Sequence, residues 1–271
     1  MIKPLNDHHA DSGEHDDDKP IGRVLSRREI LALLGGMGAA LLCGCTFTDL
    51  LTQSAAVAEL PAEASTQVAN SVVCVVKPEL TEGPYFVDNM LNRADIRTEP
   101  SDGSIKDGVP LRLVIKVFDV SGGMCAPIEG AQVDVWHCDA LGVCSGVADR
   151  SFDTSNEQWL RGYQITEGMG TTPFTTIYPG WYSGRAVHIH FKVRTDPAAG
   201  SGYEFTSQFF FDEAVTARVY QEMPYASKGQ PDRPNTSDGI YQDSAGLLTL
   251  IPAQDVDGGY TATIEIGLDL S

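Results

Sequence analysis

From Val187 to Val193 the chain alternates strictly. Val187, Ile189, Phe191 and Val193 fall on one side, and His188, His190 and Lys192 on the other. Successive side chains of a strand point to opposite faces, so this segment is an extended strand. Its apolar face rests on a core, and its other face presents two imidazoles side by side, as a metal ion needs. The turn just upstream, Tyr178 to Ala186, carries Tyr182 and Arg185. These add an anionic oxygen donor and a fixed cation. A His-x-His strand alone reads equally well as two surface histidines. The chain has six histidines; His8, His9 and His15 lie near the N-terminus, and two of the other three stand here beside Tyr182 and Arg185.

The remaining pattern is β. Leu111–Val120 is a near-continuous apolar run, and Ala131–His137 sets Val133 and Val135 opposite Asp134 and Trp136. Phe205–Phe211 and Leu247–Ile251 read as further strands. Tyr260–Leu268 places Ala262, Ile264, Ile266 and Leu268 on an inner face. Asp212–Tyr220 reads as a short helix, and clusters of Gly, Pro, Asp and Asn punctuate the intervals. Many short strands without long helices between them predict an all-β fold: one domain with a β-sandwich or barrel core, long loops that carry the site, and a short helix. About 200 residues suffice for a full core.

Residues 1–45 read as a targeting segment. Ser26-Arg27-Arg28-Glu29-Ile30-Leu31 is a twin-arginine pattern, and the apolar run from Ile30 to Leu42 is too short to span a bilayer. Export is the expectation. Leu42-Cys43-Gly44-Cys45 resembles a lipoprotein box, with Cys45 as lipid anchor; an ordinary cleaved signal or a retained anchor helix stays open beside it. Residues 46–71, rich in Ala, Thr, Ser, Glu and Pro, read as a flexible linker, and the ordered domain is expected over 72–271.

The chain has 19 basic and 37 acidic residues; without the 5 and 7 in residues 1–45, 14 and 30 remain, a net charge of −16. Such a surface repels phosphate backbones and argues against nucleic-acid binding. Cys74, Cys125, Cys138 and Cys144 lie in the ordered part, where three pairings of four cysteines are open. An oxidising compartment favours at least one bridge.

Three further segments bear on chemistry. Thr81-Glu82-Gly83-Pro84-Tyr85-Phe86 is a turn with an aromatic pair. Val133-Asp134-Val135-Trp136-His137-Cys138-Asp139-Ala140-Leu141-Gly142-Val143-Cys144-Ser145 is a strand entering a loop. Ser207-Gln208-Phe209-Phe210-Phe211 is a strand with a single amide. With the stretch from Tyr178 to Phe191, these segments resemble the intradiol ring-cleavage dioxygenases over roughly residues 72–268. The resemblance is closer to the shorter, exported branch, for which the N-terminal helical dimerisation region of the catechol dioxygenases is not expected.

The resemblance implies a non-haem Fe(III) held by two tyrosinates and two histidines. His188, His190 and Tyr182 match three of those ligands. Arg185 and Gln208 match the residues that face the bound ring, and Tyr182 also matches the ligand that departs and accepts a proton. Tyr85 and Trp181 are expected on the substrate pocket wall, and His137 as a satisfied buried histidine. The implied partners are a small aromatic diol and O₂, and the implied product is a muconate-type diacid. A homo-oligomer is left open.

One position departs from the pattern. The second tyrosinate should fall eight residues after Trp136, and Cys144 stands there. A thiolate carries the phenolate's charge and binds iron. Tyr nevertheless reaches roughly 3–4 Å farther from the backbone, and a metal–sulfur bond of about 2.3 Å recovers only part of that. Three outcomes follow: Cys144 ligates after a loop shift, the position is left to water, or the protein keeps only the binding of metal or catechol. Cys144 could instead pair with Cys138. Tyr163 and Tyr178 are the nearest substitute phenols, though both read first as packing residues.

Overall fold

The computed structural model describes residues 74–197 and 202–271. The readings made for residues 1–45 and 46–71 lie outside the described residues. The described chain forms two five-stranded sheets, and the β-sandwich expectation holds.

The first sheet is built on β1 (Pro110–Asp119) and β10 (Tyr260–Leu268), which run parallel in register from Leu111↔Tyr260 to Asp119↔Leu268. The other edge of β1 pairs antiparallel with β5 (Thr171–Ile177) and, at its end, with β2 (Ala126–Pro127); β9 (Ala253–Gln254) borders β10. Leu111, Leu113, Ile115 and Val117 from β1, with Ala262, Ile264, Ile266 and Leu268 from β10, are buried. The second sheet runs β4 (Arg161–Ile165), β3 (Gln132–Trp136), β6 (His188–Arg194), β7 (Glu204–Phe211), β8 (Thr249–Leu250). It gives Val133, Val135, Ile189, Phe191, Val193 and Phe209 to the same core. Phe191 and Phe209 stack with ring centroids 4.0 Å apart. Each such buried phenylalanine contributes about 1.5–3 kcal/mol.

The short helix is α1 (Glu213–Val219), one residue inside the expected span at each end. Asp212 caps it by accepting from the Val215 amide, and Val215 and Val219, one turn apart, face the core. A second, five-residue helix, α2 (Gly239–Asp243), was not expected; Asp238 caps it. Strands β4 and β5 were missed as well. Their sequences, Arg-Gly-Tyr-Gln-Ile and Thr-Thr-Pro-Phe-Thr-Thr-Ile, carry too little apolar alternation to stand out.

The polar face of β6 is not a solvent face. His188, His190 and Lys192 are all buried, because the segment from Pro78 to Ile96 lies across that side of the sheet. It is held there by Leu80 N to Thr206 O (2.9 Å), by Ser207 Oγ donating to Pro78 O (2.8 Å), and by Phe86 packed on Trp136 at 4.8 Å. Lys192 lies under it with its ammonium over the Phe86 ring, paired to Glu82 and, at 2.7 Å, to Glu204.

Candidate metal centre

Strand β6 delivers His188 and His190, and the turn before it delivers Tyr182 and Arg185; Gly184, at φ +88°, provides the left-handed step in that turn. Three donor atoms converge. Tyr182 Oη lies 3.2 Å from His188 Nε2, and His190 Nε2 lies 3.0 Å from it. Two donors about 2.1 Å from a shared ion and at right angles stand about 3.0 Å apart, so these separations suit one cation among them. His188 Nδ1 donates to the Ala186 carbonyl at 2.6 Å, which puts its proton there and leaves the Nε2 lone pair facing the cluster. His190 Nδ1 is buried without a hydrogen-bond partner. Its Nε2 is therefore the ring's engaged nitrogen.

Both imidazoles are held neutral. Burial, then the Arg185 charge, lowers the pKa of His188; burial, then His188 and Arg185, lowers that of His190 well below the ordinary value. Neutral nitrogen lone pairs and one phenol oxygen are a donor set that fits a ferric ion. Among the described residues, no three His, Cys, Asp or Glu side chains form such a group, so the phenol is essential to this one.

Neighbours fix the rings. Trp136, the cross-strand partner of His190, stacks on it at 5.1 Å with 9° between planes. Gly83, at φ +71°, also abuts the ring: an added Cβ would sit 2.9 Å from His190 Cε1. Tyr85 meets the Tyr182 ring edge-on at 5.7 Å and gives its hydroxyl to Asp149 at 2.8 Å. The Trp181 indole N–H reaches Gly229 O at 3.0 Å, with the Lys228 ammonium over its ring.

Arg185 Nε pairs with Asp238 at 2.9 Å, and its Nη2 donates to Gln208 Oε1 at 2.6 Å. Gln208 lies opposite His190 in the β6–β7 ladder and donates in turn to Thr81 O at 2.9 Å. Arg185 and Gln208 therefore stand together beside the imidazoles. A second buried guanidinium, Arg161, ties Ser145 to the Tyr85 carbonyl. Two guanidinium groups and one buried carboxylate make a setting that favours an anionic guest.

Cys144 is not available as a ligand. Its sulfur is bonded to Cys138, and Cys74 is bonded to Cys125. The expectation of Cys144 as a metal ligand is thus corrected: a disulfide sulfur carries no thiolate charge. Of the substitute phenols, Tyr178 has its hydroxyl engaged in the core, bonded to Thr216 Oγ1 at 2.7 Å, and burial pushes its pKa up; the Tyr163 backbone pairs with Leu91 and Arg93. His137 is satisfied through Cys138 O and Thr176 Oγ1, and burial lowers its pKa to about 4. Sequence reasoning missed Asp238. Its position before α2 marks a helix cap, but nothing local announces a partner 53 residues earlier.

A family model described as "Dioxygenase" matches residues 81–221. Chlorocatechol 1,2-dioxygenase of Pseudomonas putida is 28% identical over 151 residues, which cover 48% of this chain and 52% of that one. The chain thus spans about half the length of the curated relatives it matches. An intradiol ring-cleavage dioxygenase of Tetranychus urticae superposes with a TM-score of 0.61 at 27% identity, over 72% of this chain and 95% of that one. The dioxygenase domain of a dioxygenase carbohydrate-binding protein fusion from Streptomyces sp. SirexAA-E gives 0.50 at 27% identity, over 73% and 100%. The matched segment contains the whole Tyr182–His190 cluster, and by it the chain belongs to the intradiol ring-cleavage dioxygenase family.

Proposed function

We propose that Tyr182, His188 and His190 hold a ferric ion and that the protein cleaves a catechol-type diol with O₂. One observation carries the reading: the Tyr182 phenol oxygen at 3.2 Å and His190 Nε2 at 3.0 Å both meet His188 Nε2, beside a fixed arginine. When bound, Fe(III) supplies a Lewis acid for both diol oxygens and makes the ring electron-rich enough to react with O₂. Tyr182 Oη is the base that takes a diol proton. Arg185 stabilises negative charge that builds on the ring, and Gln208 keeps its guanidinium turned to the site. Trp136, Gly83 and the covering segment exclude water from the imidazoles. The carbon–carbon bond between the two hydroxyl-bearing carbons breaks, both oxygen atoms enter the product, and a muconate-type diacid leaves.

A second reading has its own observation. The sulfur at the expected second tyrosinate position is locked in a disulfide. That arrangement favours a homologue that binds metal or catechol and turns over slowly or not at all. Iron analysis, an optical spectrum and O₂ uptake with catechol separate the two, run on wild type and on Cys138→Ser/Cys144→Tyr. The first reading expects a tyrosinate-to-iron charge-transfer band and O₂ uptake in wild type. Catechol binding without uptake, with uptake gained in the variant, favours the second. A colourless iron-loaded protein that ignores catechol refutes both.

We also infer that the protein is exported. The twin-arginine pattern at Arg27-Arg28 supports this, as do the two disulfides, which persist in oxidising compartments. Cys45 is the proposed lipid-bearing residue.

A further inference from the structure

Asp238 stands outside the donor cluster, yet the site's cation is fastened to it. Its side chain is 1% exposed and that of Arg185 7%. Oδ2 accepts from Arg185 Nε at 2.9 Å and from the Ala186 amide at 2.8 Å. Oδ1 accepts from the amides of Ile240 at 2.9 Å and Tyr241 at 3.1 Å. Four donors on two oxygens leave no freedom to rotate. The carboxylate therefore grips the guanidinium at Nε alone, and Nη2 is left to meet Gln208 Oε1. Because Gln208 uses its oxygen there, its amide nitrogen must face Thr81 O. The Thr81 hydroxyl in turn accepts from Gly83 N at 3.2 Å, and Gly83 abuts the His190 ring. Each link allows the next one orientation.

We propose that Asp238 is a positioning residue for ring cleavage: it sets the Arg185 fork against Gln208 and, through Gln208 and Thr81, the turn that covers His190. This rests on the proposed dioxygenase reading. The alternative is that Asp238 only caps α2. The two roles use different oxygens, so they separate by substitution. Asp238→Asn also caps well, with its oxygen on the helix amides and its NH₂ group, a donor, facing Arg185 Nε. Asp238→Ser keeps a good helix cap and removes the charge from Arg185.

The first measurement uses the metal-free full-length chain. By NMR, the Arg185 Nε–Hε proton should exchange slowly in wild type and rapidly in both variants. Rapid exchange in wild type, or slow exchange in the variants, overturns the inference. The second measurement is steady-state kinetics of the iron-loaded protein. Both variants should lose about ten- to hundredfold in kcat with KM little changed, as displacement of an orienting group does. In an Arg185→Gln background, adding Asp238→Asn should cost nothing further. An unchanged kcat, or an equal loss in that background, assigns Asp238 to the cap alone. Should wild type consume no O₂ with any catechol, the proposed function fails, and the exchange measurement alone then decides the role of Asp238.

Discussion

Gly83→Ala tests whether the covering turn sets the proposed metal site. At φ +71° an alanine costs roughly 1–2 kcal/mol in backbone strain alone. Its Cβ would also lie 2.9 Å from His190 Cε1 and 3.5 Å from Nε2. Ordinary carbon contacts are about 3.5–4.0 Å, so ring or turn must give by about 0.6 Å or more. The ring has little room, since Trp136 stacks on it and β6 is hydrogen-bonded between β3 and β7. Metal sites hold their distances within about 0.2 Å, so such a shift spoils the convergence at His188 Nε2. Fe(III) affinity, measured by competition with a chelator, should fall at least about tenfold, or about 1.4 kcal/mol. Gly122→Ala is the control. Its φ is +66°, but no heavy atom lies within 4 Å of the added carbon, so it carries the backbone cost without the ring contact. Equal iron affinity in the two variants refutes the reasoning.

Two further outcomes follow from the bridges and the buried charge. The loops closed by the disulfides span 6 and 51 residues, so Cys138→Ala/Cys144→Ala should cost about 2 kcal/mol and Cys74→Ala/Cys125→Ala about 4 kcal/mol in urea unfolding; the reverse order would contradict the loop-entropy account. Burial pushes the Asp134 carboxyl from 3.8 up to about 6, against the opposing pull of Arg194 and Gln132. The folded protein therefore holds a proton that the unfolded chain releases between those values. This contribution to stability is full below pH 3.8 and is lost as the pH rises through about 6. Asp134→Asn should flatten the stability slope across that window in a pH series of urea midpoints, and an unchanged slope would show that Asp134 does not set it.

Much of the site was legible because it is local. A strand alternates with a period of two, so His188 and His190 had to share a face, and Tyr182 and Arg185 lie a few residues away. Strands such as Tyr260–Leu268 were readable for the same reason: one face is core and the other is not. Period-two logic fails where both faces are covered. Strand β6 read as half-buried, yet His190 is in contact with Gly83 and Trp136, residues more than fifty positions away along the chain.

The sequence by itself determined the donor types, their shared face and the absence of tyrosine at position 144. These follow from side-chain chemistry and strand geometry, which need no distant partner. Only the tertiary structure decided that Cys144 pairs with Cys138, that the Trp181 indole N–H meets Gly229, and that Asp238 holds Arg185. Each is a choice among partners of equal chemical merit. Which partner is within reach is set by how two sheets and their loops pack, and no periodicity along the chain encodes that distance.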